Sequence, residues 1–254
     1  MKQVNFFVIA VAIFVGITFE SCYSGENENA WDGYDCVTII EEGALGERIT
    51  LVGDFSGYTF IPSNPNFLQL QTNEYPERAR IFYKFAADEV IIEGKTTYNI
   101  KIVSCDLLLP VNDFSRTEDI SELTTPLIQL NDQNTWAVNN YINIGFTCYA
   151  NEKTTAQNFD LFADKVENNN TLCVKLNHSE DVAVGSGYDS QGLISFRIPP
   201  FAQLSEFYSN LDLSNTLIPF GENKDSIYIK VMAEGRNNNV LELDPIKVKM
   251  KIQQ

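Results

Sequence analysis

Histidine is nearly missing from this 254-residue chain: His178 is the only one, so no second imidazole is available as a base partner or metal ligand. Positive charge is short too, with 18 Lys and Arg against 34 Asp and Glu and a formal net charge of −16. A surface that acidic repels phosphate backbones and excludes nucleic acid as an expected partner. The cysteines show no CxxC spacing, and there is no Asp-x-Asp-x-Asp loop and no glycine-rich loop leading into a helix. Zinc, thiol-redox, calcium-loop and nucleotide chemistry therefore lack their motifs. Carboxylates come as scattered neighbours, Glu41-Glu42, Asp88-Glu89 and Glu180-Asp181. Solvated loops look like this, whereas a glycosidase or calcium site gathers its acids in one place. The expectation is a protein that is not an enzyme and carries no metal and no cofactor.

Long apolar runs are absent except at the start. Met1-Lys2-Gln3 forms a short basic region, followed by an apolar stretch from Val4 to Thr18 interrupted by Asn5 and Gly16. This is the length of a signal peptide and too short for a comfortable membrane span. Phe19-Glu20-Ser21-Cys22 then places a cysteine behind a small residue, the arrangement in which a bacterial lipoprotein thiol receives diacylglycerol; Glu20 departs from the usual small residue at its position. Two or three acyl chains on Cys22 would hold the protein firmly at a membrane, since each buried methylene contributes about 0.8 kcal/mol. From Tyr23 to Asp35 the chain carries Glu26, Glu28, Asp32 and Asp35 and no Lys or Arg, which reads as a solvated tether. Acidic stretches after the lipid cysteine resemble the surface-export signals of Gram-negative gut and oral anaerobes. The expected location is the outer membrane, lipid-anchored and facing the cell exterior.

What the rest of the chain has is period-2 alternation. At the C-terminus Ile246, Val248, Met250 and Ile252 interleave with Lys247, Lys249 and Lys251, giving one apolar face and a lysine row suited to an exposed edge strand. The same pattern runs through Tyr98, Ile100 and Ile102; Ile142, Ile144, Phe146 and Cys148; Leu172, Val174 and Leu176; Ile194, Phe196 and Ile198; and Ile227, Ile229 and Val231. Helical spacing is weak and confined to Phe201–Leu211, where a short helix or turn is expected. The fold class is all-β: a small barrel over 36–112, a linker over 113–125 and a β-sandwich over 126–254, preceded by a signal peptide over 1–21 and a lipidated tether over 22–35.

The ordered segments ITLVGDFSGYTFIPSNP, YPERARIFYKF, YNIKIVSCDLLL, TWAVNNYINIGFTCYA, NFDLFAD, TLCVKLNHS and LISFRIPPF are similar to the NigD-like lipoproteins over nearly the whole mature chain. The turn from Gly53 to Gly57 lacks the family's acidic pair before glycine, and no Leu-Thr-Lys run follows Leu107. The resemblance implies an OB-type barrel followed by an immunoglobulin-like sandwich on a lipoprotein. It also implies a role connected with bacteriocin immunity, in which an acidic, lipid-fixed body captures a toxin or peptide at the envelope. A surface glycan-binding lipoprotein is the alternative, because both folds host sugar sites.

Few single residues invite chemistry. His178 continues the phase of Leu172, Val174 and Leu176, so it should point inward as a structural residue. A triad of Ser195, His178 and Asp181 lacks the turn that would expose a nucleophile. With Cys22 acylated, Cys36, Cys105, Cys148 and Cys173 remain; Cys148 and Cys173 are out of phase with each other, and thiols are expected over disulfides. The expected binding surface is the face of the strand around residue 143 that opposes the apolar one: Asn139, Tyr141, Asn143 and Tyr149 combine amides and aromatics suited to sugars or a partner protein.

Overall fold

The computed structural model describes residues 30–42, 48–115, 124–151, 154–179, 187–208 and 217–250. The expected signal peptide, Cys22 and most of the expected tether lie outside them. Trp31 to Gln254 forms one compact unit. No described helix is long and apolar enough to cross a membrane.

The chain is all-β, a closed barrel followed by two packed sheets. Strands β1 (Gly33–Glu42), β2 (Arg48–Gly53), β3 (Thr59–Pro62), β4 (Arg78–Phe85) and β5 (Thr97–Leu108) close in the order β1-β2-β3-β5-β4, with β3 and β5 parallel and the other pairs antiparallel. Alternation supplies the interior: Val37, Leu51, Phe60, Ile81, Tyr98, Ile100 and Ile102 point inward and are essentially inaccessible. Closure leaves no free sheet edge in this half of the molecule.

The second half opens with β6 (Val111–Asp113), then β7 (Gln129–Val138), β8 (Tyr141–Ala150), β9 (Phe159–Glu167), β10 (Thr171–His178), β11 (Tyr188–Arg197), the short helix α1 (Phe201–Tyr208), β12 (Ser226–Glu234), β13 (Val240–Glu242) and β14 (Ile246–Lys249). One sheet runs β6-β11-β8-β7 and the other β13-β12-β10-β9, with β14 added to β12. Ile142, Ile144, Phe146, Leu172, Val174, Ile194, Phe196, Ile227 and Ile229 meet between them, the residues that period-2 spacing selects. At the edge strand β14, Val248 is buried while Lys247 and Lys249 face water. Leu204 pins α1 to this core.

Two expected boundaries are corrected. The tether does not extend to Asp35: β1 starts at Gly33, and Asp35 is fully buried with its carboxylate accepting three hydrogen bonds. The linker does not begin at 113, nor does the barrel reach 112. Val111, Asn112 and Asp113 pair in parallel with Ser195, Phe196 and Arg197 of the sandwich, Phe114 bridges Leu161, and buried Thr125 donates its N–H to the His178 carbonyl. A three-residue strand is too short to display a period, so its partners alone reveal it.

Cys36, Cys105, Cys148 and Cys173 carry thiols. Cys148 lies in the core between the sheets, whereas Cys173 is outside that cluster, beside a bulge in the β9–β10 ladder. His178 is buried and stacks on Phe159, centroids 4.6 Å apart and 9° from parallel, an inward structural position.

Candidate functional site

The odd-numbered face of β8 is not a solvent surface. Asn139 is exposed, in the β7–β8 turn, but Tyr141, Asn143 and Tyr149 are buried. The barrel and other sandwich segments cover them: Arg78 lies 4.6 Å over the Tyr141 ring and Arg236 lies 4.4 Å over Tyr149. The expected binding face is thus satisfied within the chain, and what the sequence placed together the fold separates.

What covers it begins on the outer face of β4. Arg78, Arg80 and Phe82 alternate there and stand opposite Thr38, Cys36 and Tyr34 of β1 in register. Arg78 is completely buried, which is tolerable only if its charge and all its N–H groups are matched. They are. Its Nη1 and Nη2 engage the Asp54 carboxylate, Nη1 also reaches Thr38 Oγ1 at 2.8 Å, Nη2 reaches Asn143 Oδ1 at 3.1 Å, and Nε reaches Ser195 Oγ at 3.2 Å. Asp54 also accepts from Trp136 Nε1 at 2.9 Å, and Ser195 donates to Asn143 at 2.6 Å. Burial pushes the Asp54 carboxyl above the usual range, opposed by the Arg78 charge and by the hydrogen bonds from Arg78 and Trp136. Ser195 is therefore a junction residue, on the sheet that does not contain His178.

A second bridge runs along the rim, where Glu77 takes Arg197 Nη2 at 2.7 Å, Arg197 also contacts Asp113, and the Tyr141 hydroxyl donates to Glu77. Burial, then that acceptor, pushes the Tyr141 phenol up to about 12.

Above the buried pair the surface changes character. The Asp35 carboxylate accepts from the N–H of Phe55 at 3.0 Å, the N–H of Ser56 at 3.1 Å and the Ser56 hydroxyl at 2.6 Å. These bonds hold the turn after β2, and Gly53 is required there because a Cβ would sit 2.3 Å from that carboxylate. Phe55 consequently stands out into water, 51% exposed, between Tyr34 at 6.5 Å and Trp136 at 5.2 Å. Tyr34 continues to Phe82 at 5.9 Å, and Trp31, 48% exposed, lies 5.1 Å from Phe82 and 6.1 Å from Tyr34. The five rings form a continuous ridge from the sandwich to the point where the N-terminal segment enters the barrel. Their planes meet at 35–89°, so the ridge offers edges and notches rather than a flat platform. Arg80 and Asp106 flank it as a bidentate pair. Cys36 beneath is buried, and burial above all pushes its thiol up to about 12, away from the reactive thiolate form.

The ridge went unread in the sequence because Trp31 and Tyr34 fell in a supposed tether and Phe55 in a turn. The available signal was Trp31 and Tyr34, two aromatics close together at the end of a stretch expected to be solvated. Asn139 instead lines an open cleft of about 730 Å³ with Asn140, Asn223, Asp225, Lys247 and Lys249. Among the described residues no three His, Cys, Asp or Glu side chains gather as metal ligands.

An uncharacterized protein from Parabacteroides merdae superposes with a TM-score of 0.54 at 10% identity, covering 86% of this chain and 99% of that one. A proposed lipoprotein from Bacteroides fragilis gives 0.52 at 11% identity, over 87% and 99%. A NigD-like immunity protein from Bacteroides caccae gives 0.42 at 19% identity, over 83% and 90%. What the first two share with this chain is the fold. The barrel-then-sandwich order implied by the NigD-like resemblance is the order found. No protein-family model matches the sequence, and a search of curated proteins finds no relative.

Proposed function

We propose that this chain is a lipid-anchored, non-enzymatic binding protein of the cell envelope that captures a protein or peptide on the ridge of Phe82, Trp31, Tyr34, Phe55 and Trp136. The observation that carries the reading is the exposure of a continuous aromatic ridge held rigid from below by Asp35 and Asp54. Aromatic rings fixed in advance bury much apolar area at little entropic cost, and hot spots of protein interfaces are built this way. The edge-to-face ring angles suit interdigitating side chains better than the flat face of a sugar ring. A net charge of −16 favours a basic partner. Anchoring through Cys22 is supported by the signal-peptide pattern and by the fold shared with a proposed lipoprotein, and the acidic stretch after Cys22 supports the outer membrane. Capture of a bacteriocin-like peptide is the specific form that the NigD-like resemblance implies.

Glycan binding is the second reading, favoured by the amide-lined cleft around Asn139, Asn140 and Asn223. A pull-down from envelope and culture supernatant, run beside a glycan array at low and moderate salt, separates the two. A basic peptide or protein retained at low salt, released as salt rises and lost with Trp31→Ala/Tyr34→Ala, supports the ridge. Salt-insensitive glycan retention that survives those substitutions overturns it in favour of the cleft.

A further inference from the structure

The loop between β4 and β5 carries the most exposed apolar run among the described residues: Val90, Ile91 and Ile92 are 64%, 62% and 57% exposed in succession. A pliable loop would fold such side chains back onto the barrel, because leaving them in water is unfavourable. This loop cannot easily do so. The Glu89 carboxylate, 6% exposed, accepts from the Asn99 N–H at 2.8 Å, from Asn99 Nδ2 at 2.6 Å and from Lys95. Glu89 N–H is bonded to the Ala86 carbonyl, Lys95 N–H to the Ile92 carbonyl, and Gly94 adopts a φ of +82°, which favours glycine. The apolar tip is therefore presented outward by design of the loop.

The N-terminal segment enters the barrel at this same end. Gly33 pairs with Tyr83, Asp32 donates its N–H to the Tyr83 carbonyl, and the Asp32 carboxylate accepts from Phe85 N–H at 2.8 Å. Phe85 is the last residue of β4, and Ile91 is six residues beyond it. From Trp31 back to Cys22 the chain has nine peptide steps, a reach of at most about 30 Å even fully extended. An acylated Cys22 thus keeps this end of the barrel close to the bilayer.

We infer that the Val90-Ile91-Ile92 tip inserts into the same membrane that holds the Cys22 lipid, a second contact that orients the protein on its anchor. The lipid surface it fits is zwitterionic, because exposed Asp88 and Glu93 beside the tip oppose anionic headgroups. This inference rests on the lipid-anchor reading. It gives the anchored body a fixed attitude, with the sandwich end turned away from the bilayer.

The test uses the full-length acylated protein in zwitterionic vesicles, with an environment-sensitive fluorophore attached through Ile91→Cys in a Cys105→Ser background, the remaining cysteines being acylated or buried. A label at Val240→Cys, exposed on the sandwich, is the control. The expected result is blue-shifted emission at 91 that lipid-borne nitroxide quenches and aqueous iodide does not, the reverse at 240, and loss of the shift with Val90→Asp/Ile92→Asp. Protein that floats with the vesicles while position 91 remains open to iodide overturns the insertion and leaves the anchor standing. Protein that carries no lipid on Cys22 and does not float overturns both.

Discussion

Two strand faces in this molecule both mix aromatic and polar side chains and meet opposite fates. On β8, Tyr141, Asn143 and Tyr149 mix aromatics with an amide, and the outer barrel face mixes aromatics with a guanidinium in Tyr34, Arg80 and Phe82. The first is buried against the barrel and Arg236, and the second remains in water as part of the ridge. One side chain makes the difference. Arg78, on the same face as Arg80 and Phe82, brings a buried charge that needs acceptors, and Asp54, Asn143 and Ser195 supply them from both halves of the chain. A polar strand face becomes an interface when a desolvated group demands partners there, and a surface when none does.

The comparison breaks most completely by removing the buried arginine. Arg78→Ala strands Asp54, Asn143 and Ser195 without their donor, and the expected loss is about 3–5 kcal/mol by chemical denaturation. A loss under about 1 kcal/mol would show that the junction is held elsewhere, since exposed pairs such as the Glu77–Arg197 rim contribute only that much. Trp136→Phe keeps the ring against Phe55 but deletes the hydrogen bond to Asp54, with an expected loss of about 1.5–3 kcal/mol by the same measurement.

The ridge should behave in the opposite way. Phe55→Ala is expected to change stability by no more than about 1 kcal/mol while weakening partner capture at least tenfold, because the ring is half in water yet central to the ridge. Unfolding curves and pull-down yield on the same variant check both halves of that statement.

The smallest effect is confined to the β4–β5 loop. Hydrogen bonding from Lys95, then from the Asn99 backbone, lowers the Glu89 carboxyl from 4.5 to about 2. A depressed folded-state value means the ordering it contributes is fully present above about pH 4.5 and is lost as pH falls toward 2. Amide exchange over residues 86–99 should therefore accelerate in that window, relative to the barrel core, and Glu89→Gln should show the faster exchange already at neutral pH.

The larger cores are legible in the sequence itself. The alternations at Tyr98–Ile102, Ile142–Cys148, Leu172–Leu176 and Ile227–Val231 each appear as a strand with the apolar set inward, and the Lys247 and Lys249 row marks an exposed edge. Less legible was anything resting on a residue far along the chain. Asp35 looked like tether because its partners, Phe55 and Ser56, are about twenty residues away, and Val111–Asp113 looked like linker because its ladder partner is Ser195–Arg197.

The sequence by itself determined the alternation, hence the strands and their buried faces, and the excess of negative charge, because both follow from neighbouring residues and composition. Only the tertiary structure decided which polar faces meet. Arg78 finds Asp54, Asn143 and Ser195 at separations of 24, 65 and 117 residues. A local period carries no information over such distances, and a buried charge is tolerated only where the assembled halves bring its acceptors together.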